Sequence, residues 1–162
     1  MGSFSLYGGT LALNLPDTWD DRSIYTYVAP EQNVSAGMPT MNKTQGFRPN
    51  VVVTRESRGK YERLDAYAKD QLAASQKQLP QMKVVSEDPS TVGGQPAICR
   101  VFTFVAPPQN VTVQQMQTFV LIGDWIYTLT FSTLPSHFNE QKKMFDKIVG
   151  DVTSSGDVTS KG

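Results

Sequence analysis

The chain has 162 residues, a length that predicts a single domain large enough to bury a hydrophobic core. Its 15 Lys and Arg residues are balanced by 15 Asp and Glu residues, which excludes the strongly basic class of nucleic-acid-binding proteins and gives no sign of an anionic membrane as a partner. One Cys and one His exclude a disulfide framework within the chain and a four-ligand Cys/His zinc site, and no apolar run approaches the roughly 18 residues of a membrane-spanning helix.

The predicted elements are short strands, with one helix in the middle of the chain and one near its end. Alternation of apolar and polar residues, as at Leu11, Leu13 and Leu15, predicts strands, and runs of β-branched and aromatic residues predict others. In chain order we predict strands over 11–15, 23–29 and 50–55, a helix over 64–79, strands over 83–87, 97–105, 111–122 and 125–132, and a helix over 136–149.

Both helices are predicted from apolar residues that recur at the helical period. Pro80 ends the first helix, and Ser136 is a candidate N-cap for the second. The apolar stripe of the first helix includes Leu64, Tyr67, Ala68, Leu72 and Leu79. The residues of the second helix that we expect to face inward are Phe138, Phe145, Ile148 and Val149.

The clearest hairpin joins strands 111–122 and 125–132 through Gly123 and Asp124. Gly at the first position of a two-residue loop suits a type II′ turn. Consecutive strands with such links predict a mainly antiparallel sheet with two helices packed on it, in the order β-β-β-α-β-β-β-β-α, which is the α+β class.

Two stretches have no predicted element. Residues 30–49 are rich in Gly, Pro, Asn and Gln, which predicts a long loop that is either functional or mobile. The sequence GDVTS occurs at 150–154 and again at 156–160, a low-complexity repeat that favours disorder. We therefore expect one domain over residues 1–152 and a disordered tail over 153–162.

The hairpin register divides its side chains between two faces, because a two-residue turn makes Ile122 and Trp125 cross-strand neighbours. The face predicted to lie in the core carries Met116, Thr118, Val120, Ile122, Trp125, Tyr127, Leu129 and Phe131. The opposite face has no charged residue and carries Val113, Gln115, Gln117, Phe119, Leu121, Ile126, Thr128, Thr130 and Ser132. Either a loop or the first helix covers this second face, or it binds an apolar partner.

The residues most able to do chemistry lack readable partners. His137 follows Pro135 and Ser136 at a helix start, and Cys99 lies in the middle of a strand. No nucleophile is paired with a base in the sequence, so a surface histidine and a buried cysteine are the simpler interpretations. We expect that the protein is not an enzyme, that it has no catalytic residue and that it binds no metal or cofactor.

Residues 15–23 read LPDTWDDRS, which resembles the LP-x-x-W-x-D-R-S motif of the DcrB family, formerly a domain of unknown function. The stretch 50–56 is similar to the central strand of that family, and 64–80 is similar to its helix. The stretches 94–97, 117–119 and 127–130 match its later strands, so the resemblance extends over residues 4–152.

Within the family, the chain is most similar to the Eag-type chaperones of bacterial type VI secretion. That resemblance implies a Mog1p/PsbP-like α+β sandwich and a homodimer. It also implies a cytoplasmic protein that binds the hydrophobic N-terminal transmembrane helices of a PAAR or Rhs effector and keeps them soluble until they reach the secretion spike. The balanced charge and the lack of a long apolar run predict no nucleic acid as a partner and no direct insertion into a membrane.

Other branches of the family give an alternative. They are periplasmic or lipid-anchored envelope proteins with a binding role, and the chain would fit them if a signal sequence had been removed from its N-terminus.

The uncharged face and the resemblance together predict a client-binding groove. From the hairpin we assign to it Val113, Gln115, Gln117, Phe119, Ile126, Thr128 and Thr130. Strands 23–29 and 50–55 are expected to add Ile24, Thr26, Val52 and Thr54. The match to the family's helix adds Gln71, Ser75 and Leu79.

Overall fold

The computed structural model describes residues 2–6, 11–16, 18–19, 24–29 and 47–153. Within these residues the predicted elements appear in the predicted order, with one further strand at the start. In chain order the elements are β1 (Gly2–Leu6), β2 (Leu11–Leu15), β3 (Tyr25–Val28), β4 (Asn50–Ser57), α1 (Leu64–Gln78), β5 (Lys83–Val92), β6 (Gln95–Ala106), β7 (Val111–Ile122), β8 (Trp125–Thr133), a 3-10 turn (Pro135–His137) and α2 (Phe138–Gly150).

Six strands form one antiparallel sheet in the order β3-β4-β8-β7-β6-β5, and β1 pairs with β2 in a separate two-stranded sheet. Gly123 has a φ of 60°, which only glycine adopts without strain, and the turn it makes pairs Ile122 with Trp125. The predicted hairpin register and the predicted α+β class are therefore confirmed.

One face of the six-stranded sheet, the α2 face, holds the larger hydrophobic core. Met116, Val120, Leu129 and Phe131 lie there as predicted, packed with residues of α2. The rings of Phe131 and Phe145 are 4.7 Å apart between centroids. Each square ångström of apolar surface buried here contributes about 25 cal/mol, so this cluster is the main stabilising contact of α2.

The opposite face, the α1 face, holds a smaller cluster. Leu64, Tyr67 and Ala68 of α1 pack on Phe119 of β7 and Ile126 of β8. The sheet therefore lies between two helices, one on each face.

Two predictions about the second helix are wrong. Ser136 is not an N-cap, because it lies inside the 3-10 turn, and no side chain caps α2, which begins at Phe138. Ile148 does not face inward: 39% of it is exposed, on the flank of α2, whereas Phe145 and Val149 are buried as predicted.

Five strands differ in length from their predictions: β4, β6 and β8 are one to three residues longer, β3 is shorter, and β5 is longer. Among the described residues, β3 spans Tyr25–Val28, shorter than the predicted 23–29. β5 extends to Val92 instead of ending at 87, with a register shift between Val84 and Ser86. Pro89 is accommodated in β5 because, within the described residues, β5 has a neighbour on one side only, and an edge strand can lack a hydrogen-bond donor there.

The predicted loop over 30–49 is described only at residues 47–49, which are irregular, and residues 30–46 lie outside the described part of the chain. Of the predicted tail, residue 153 is described and residues 154–162 are not. The single domain over residues 1–152 stays a prediction.

Candidate binding groove

The pairing of the strands places the predicted groove residues on one face. Thr26 pairs with Val52, Val52 with Thr130, and Thr130 with Gln117, so these four side chains form one row across four strands. In the next row Thr54 pairs with Thr128 and Thr128 with Phe119. Because side chains alternate between the faces of a strand, all the strand residues assigned to the groove lie on the α1 face.

α1 covers one half of this face. Phe119 and Ile126 are each 1% exposed, beneath α1, and Thr128 beside them is also buried. Val113 is buried as well. Val113 is not part of the cluster that α1 covers, and none of these four buried side chains is accessible to a partner in the free chain. For this half, the interpretation that the first helix covers the face holds.

The other half of the face remains open. Val52, Thr54, Gln115, Gln117 and Thr130 are half-buried, and Thr26 on β3 and Ile24 just before it are exposed. We call this surface the groove: its floor is formed by Thr26, Val52, Thr54, Gln115, Gln117 and Thr130. None of these floor residues is charged.

Two hydrogen bonds order the floor. The Gln115 amide donates from Nε2 to Oγ of Ser132 over 2.8 Å, and the Gln117 amide donates from Nε2 to Oγ1 of Thr130 over 3.2 Å. Each amide keeps a second N–H and a carbonyl oxygen. The floor therefore combines apolar area with polar groups whose positions are fixed by β8.

The second half of α1 and its C-cap carry the three helix residues assigned to the groove. Gln71, Ser75 and Leu79 follow Tyr67 at intervals of four residues, which places them on the stripe of the helix that begins with that buried ring. All three are half-buried. Their place in the groove stays a prediction from the family resemblance.

Buried polar contacts fix the position of α1. Arg100 is 0% exposed, donates from Nη2 to the carbonyl oxygen of Ala68 over 2.6 Å, and forms an ion pair with Glu87 over 3.2 Å. The phenol of Tyr67 donates to the carboxylate of Glu56. Burial, followed by this hydrogen bond, raises the pKa of Tyr67.

Sequence reasoning did not identify Arg100 or Tyr67 as residues that hold α1 in place. The available signal was the charge itself, because Arg100 interrupts an otherwise apolar strand between Cys99 and Val101. A charge in such a position is buried only when it is paired.

The two residues considered for catalysis lie away from the groove. The side chain of Cys99 packs against the core of the α2 face, and burial raises the pKa of its thiol, which disfavours the nucleophilic thiolate. His137 ends the 3-10 turn before α2. Among the described residues, no group of three His, Cys, Asp or Glu side chains is placed to hold a metal ion. No helix in the described part of the chain has the length and apolarity needed to cross a bilayer.

Comparison with known proteins gives a family and a set of similar folds. The family model of DcrB matches residues 11–150. No curated protein matches the chain.

The chain is structurally similar to the protein of unknown function PA94 from Pseudomonas aeruginosa, with a TM-score of 0.74, 18% identity, and 95% of this chain and 96% of that chain covered. The Ran-binding protein Mog1p of Saccharomyces cerevisiae aligns with a TM-score of 0.48 and 12% identity, covering 88% of this chain and 82% of Mog1p. The PsbP protein of Synechocystis sp. PCC 6803 aligns with a TM-score of 0.48 and 12% identity, covering 83% of this chain and 94% of its own.

Proposed function

This chain belongs to the DcrB family, and from that membership we propose that it is a non-catalytic binding protein of the Eag chaperone branch. Its client is the hydrophobic N-terminal transmembrane segment of a type VI secretion effector with a PAAR or Rhs region. The groove on the α1 face holds that segment in the cytoplasm until the effector is loaded onto the secretion spike.

The observation that carries this proposal is the composition of the groove floor. Its six residues are Val, Thr or Gln, although five of them are half-buried and Thr26 is exposed. A sheet face that meets only water normally carries Lys and Glu. A transmembrane helix exposes about 20 apolar residues, and contact with this floor removes their surface from water at about 25 cal/mol per square ångström.

The two glutamines suit a client that is not wholly apolar. Their remaining amide groups can bond to Ser or Thr hydroxyls, or to backbone carbonyls at Gly-rich helix contacts. A polar client group left unpaired in a dry site costs about 1–3 kcal/mol, so these bonds discriminate between transmembrane segments. Two copies of the protein around a dyad would enclose a helical hairpin from both sides.

Co-expression with the N-terminal segment of a PAAR or Rhs effector, sought among the genes that neighbour the gene of this protein, tests the proposal. We expect the segment to be soluble and to co-purify with the protein, and to be insoluble when expressed alone. The proposal is wrong if the segment remains insoluble in the presence of the protein, or if the native protein fractionates with the cell envelope.

A further inference from the structure

The described part of the chain leaves β3 at the edge of the six-stranded sheet. Among the described strands it pairs only with β4. The Ala29 amide donates to the Pro49 carbonyl over 2.8 Å, so in the alternating antiparallel pattern Tyr27 and Tyr25 also bond to β4. The N–H and C=O groups of Thr26 and Val28 therefore point away from β4, toward the outside of the sheet.

This edge is apolar on both faces. Ile24 and Val28 are 66% and 50% exposed on the α1 face, and Tyr25 and Tyr27 are 48% and 61% exposed on the α2 face. Residues 24–29 contain no charge and no proline. Natural edge strands are usually protected from further pairing by Lys, Pro or a bulge, and this one has none of these along its described length.

An apolar pocket opens beside the same edge on the α2 face. It has a volume of about 200 Å³ and is lined by Tyr27, Val51, Phe131, Met144, Phe145 and Ile148, among others. A cavity of about 150 Å³ with similar lining accepts a benzene ring, so this pocket has room for one large apolar side chain.

We propose that β3 binds an extended, uncharged segment of the client polypeptide as an added strand, with one apolar side chain of that segment in the pocket. This inference rests on the proposed function, since the occupant is the part of the client that adjoins its transmembrane helix. Thr26 belongs to both surfaces: its side chain lies on the groove floor, and its backbone groups lie on the free edge. A client helix in the groove therefore places its flanking residues beside β3.

An added strand fits the exposed residues better than a second helix does. A helix on the α2 face would cover Tyr25 and Tyr27 and leave Ile24 and Val28 in water. A strand paired to the edge covers side chains on both faces and bonds to the free groups of Thr26 and Val28, which is the β-augmentation mode of peptide recognition.

The test compares Thr26→Pro with Thr26→Ala. Because the Thr26 N–H points outward, proline removes a hydrogen-bond donor from the edge of the sheet. It removes no hydrogen bond between β3 and β4. Alanine removes the same side chain and keeps the donor, so it is the matched control. Thermal melting of both variants establishes that they fold.

The probe is the N-terminal segment of the neighbouring effector in two lengths, the transmembrane helix alone and the helix with its flanking residues. Both variants lack the Thr26 side chain of the floor, so they are compared with each other: we expect Thr26→Pro to bind the longer probe roughly tenfold more weakly than Thr26→Ala does, and the two variants to bind the shorter probe equally. Equal binding of the longer probe by both variants overturns the inference.

Amide hydrogen exchange gives a readout that does not depend on a variant. In the free protein we expect the Thr26 and Val28 amides to exchange quickly and the Tyr27 amide to be protected. The longer probe should slow exchange at Thr26 and Val28, and the shorter probe should not.

Protection of Thr26 in the free protein that grows with protein concentration would show that a second copy occupies the edge, and would overturn the inference. Binding of both probes without new protection rejects the added strand and leaves the groove intact, whereas binding of neither probe rejects both proposals.

Discussion

Arg100 is the most deeply buried charged side chain of the described residues, and it lies in the same cross-strand row as Gln117. Its guanidinium lies 5.4 Å from the Phe119 ring centroid and bonds to α1 and to β5. Burial of this charge is offset by the bonds to the Ala68 carbonyl and to Glu87, although the Arg100 Nη1 atom has no hydrogen-bond partner.

We predict that Arg100→Ala lowers the free energy of unfolding by about 2–4 kcal/mol, because the Ala68 carbonyl loses its donor and a cavity opens above Phe119. Glu87→Gln should cost less than about 1 kcal/mol, since that carboxylate is partly in water. Urea unfolding of the two variants measures both values. If Arg100→Ala and Glu87→Gln lower the free energy of unfolding equally, the ion pair, and not the contact with α1, is the stabilising interaction of Arg100.

Tyr67 gives the fold a dependence on alkaline pH. Burial and the hydrogen bond to Glu56 raise its pKa above the ordinary value of 10.0, so the unfolded state releases the Tyr67 proton at lower pH than the folded state does. The resulting stability is fully present below about pH 10 and is lost as the pH rises further.

We expect Tyr67→Phe to lower the free energy of unfolding by about 1 kcal/mol at neutral pH, through loss of the hydrogen bond. The variant should also lose less stability than the parent between about pH 9 and about pH 11. Urea unfolding at several pH values tests this, and parallel pH profiles for the two proteins would show that Tyr67 does not carry the alkaline dependence.

At the scale of elements, the β7–β8 hairpin could be predicted from sequence in full. A two-residue turn that begins with Gly123 fixes the register, and a side-chain period of two then assigns every residue of both strands to a face. The position of α1 could not be predicted in the same way. Its periodicity shows which stripe is apolar. No local sequence signal indicates that Leu64, Tyr67 and Ala68 pack on Phe119 and leave the floor around Gln117 uncovered.

The hairpin turn itself gives a prediction with a matched control. Gly123→Ala meets no atom within 4 Å but must adopt a φ of +60°, so it should cost about 1–2 kcal/mol by backbone strain alone. Gly150→Ala, at the end of α2 and equally free of contacts, should gain up to about 1 kcal/mol from helix propensity. We expect thermal melting to show a lower Tm for Gly123→Ala and a higher Tm for Gly150→Ala. An unchanged Tm for Gly123→Ala would contradict the assigned turn.

The two halves of the α1 face should respond differently to truncation. Phe119→Ala removes a ring buried beneath α1 and should cost about 3–5 kcal/mol of stability. Gln117→Ala should cost less than about 1.5 kcal/mol but weaken client capture by about 1–3 kcal/mol, because a client polar group loses its partner. Melting and co-purification are measured on each variant. Lost capture without lost stability in Phe119→Ala would mean that α1 moves aside for the client.

At the scale of the whole molecule, the sequence predicted the class of fold because its strong signals agree. Alternation in β7 and β8, periodicity in α2 and the stop at Pro80 all point to one antiparallel sheet with two helices. The wrong predictions concern residues whose burial, and strands whose length, are determined by tertiary contacts and not by local sequence. Ile148 follows the helical period of the core stripe, yet it flanks a pocket at the edge of the sheet, and β5 continues past Pro89 only because an edge strand tolerates it.

The claim that the groove binds the effector's N-terminal segment is tested most directly by placing a charge in the groove and a matched charge outside it. Thr130→Lys puts an ammonium group on the open floor, where a bound client would have to desolvate it, whereas Thr112→Lys puts the same group on an exposed position of β7. We predict near-native melting for both variants, with loss of the effector's N-terminal segment from Thr130→Lys alone. Full capture of that segment by a folded Thr130→Lys variant would contradict the account.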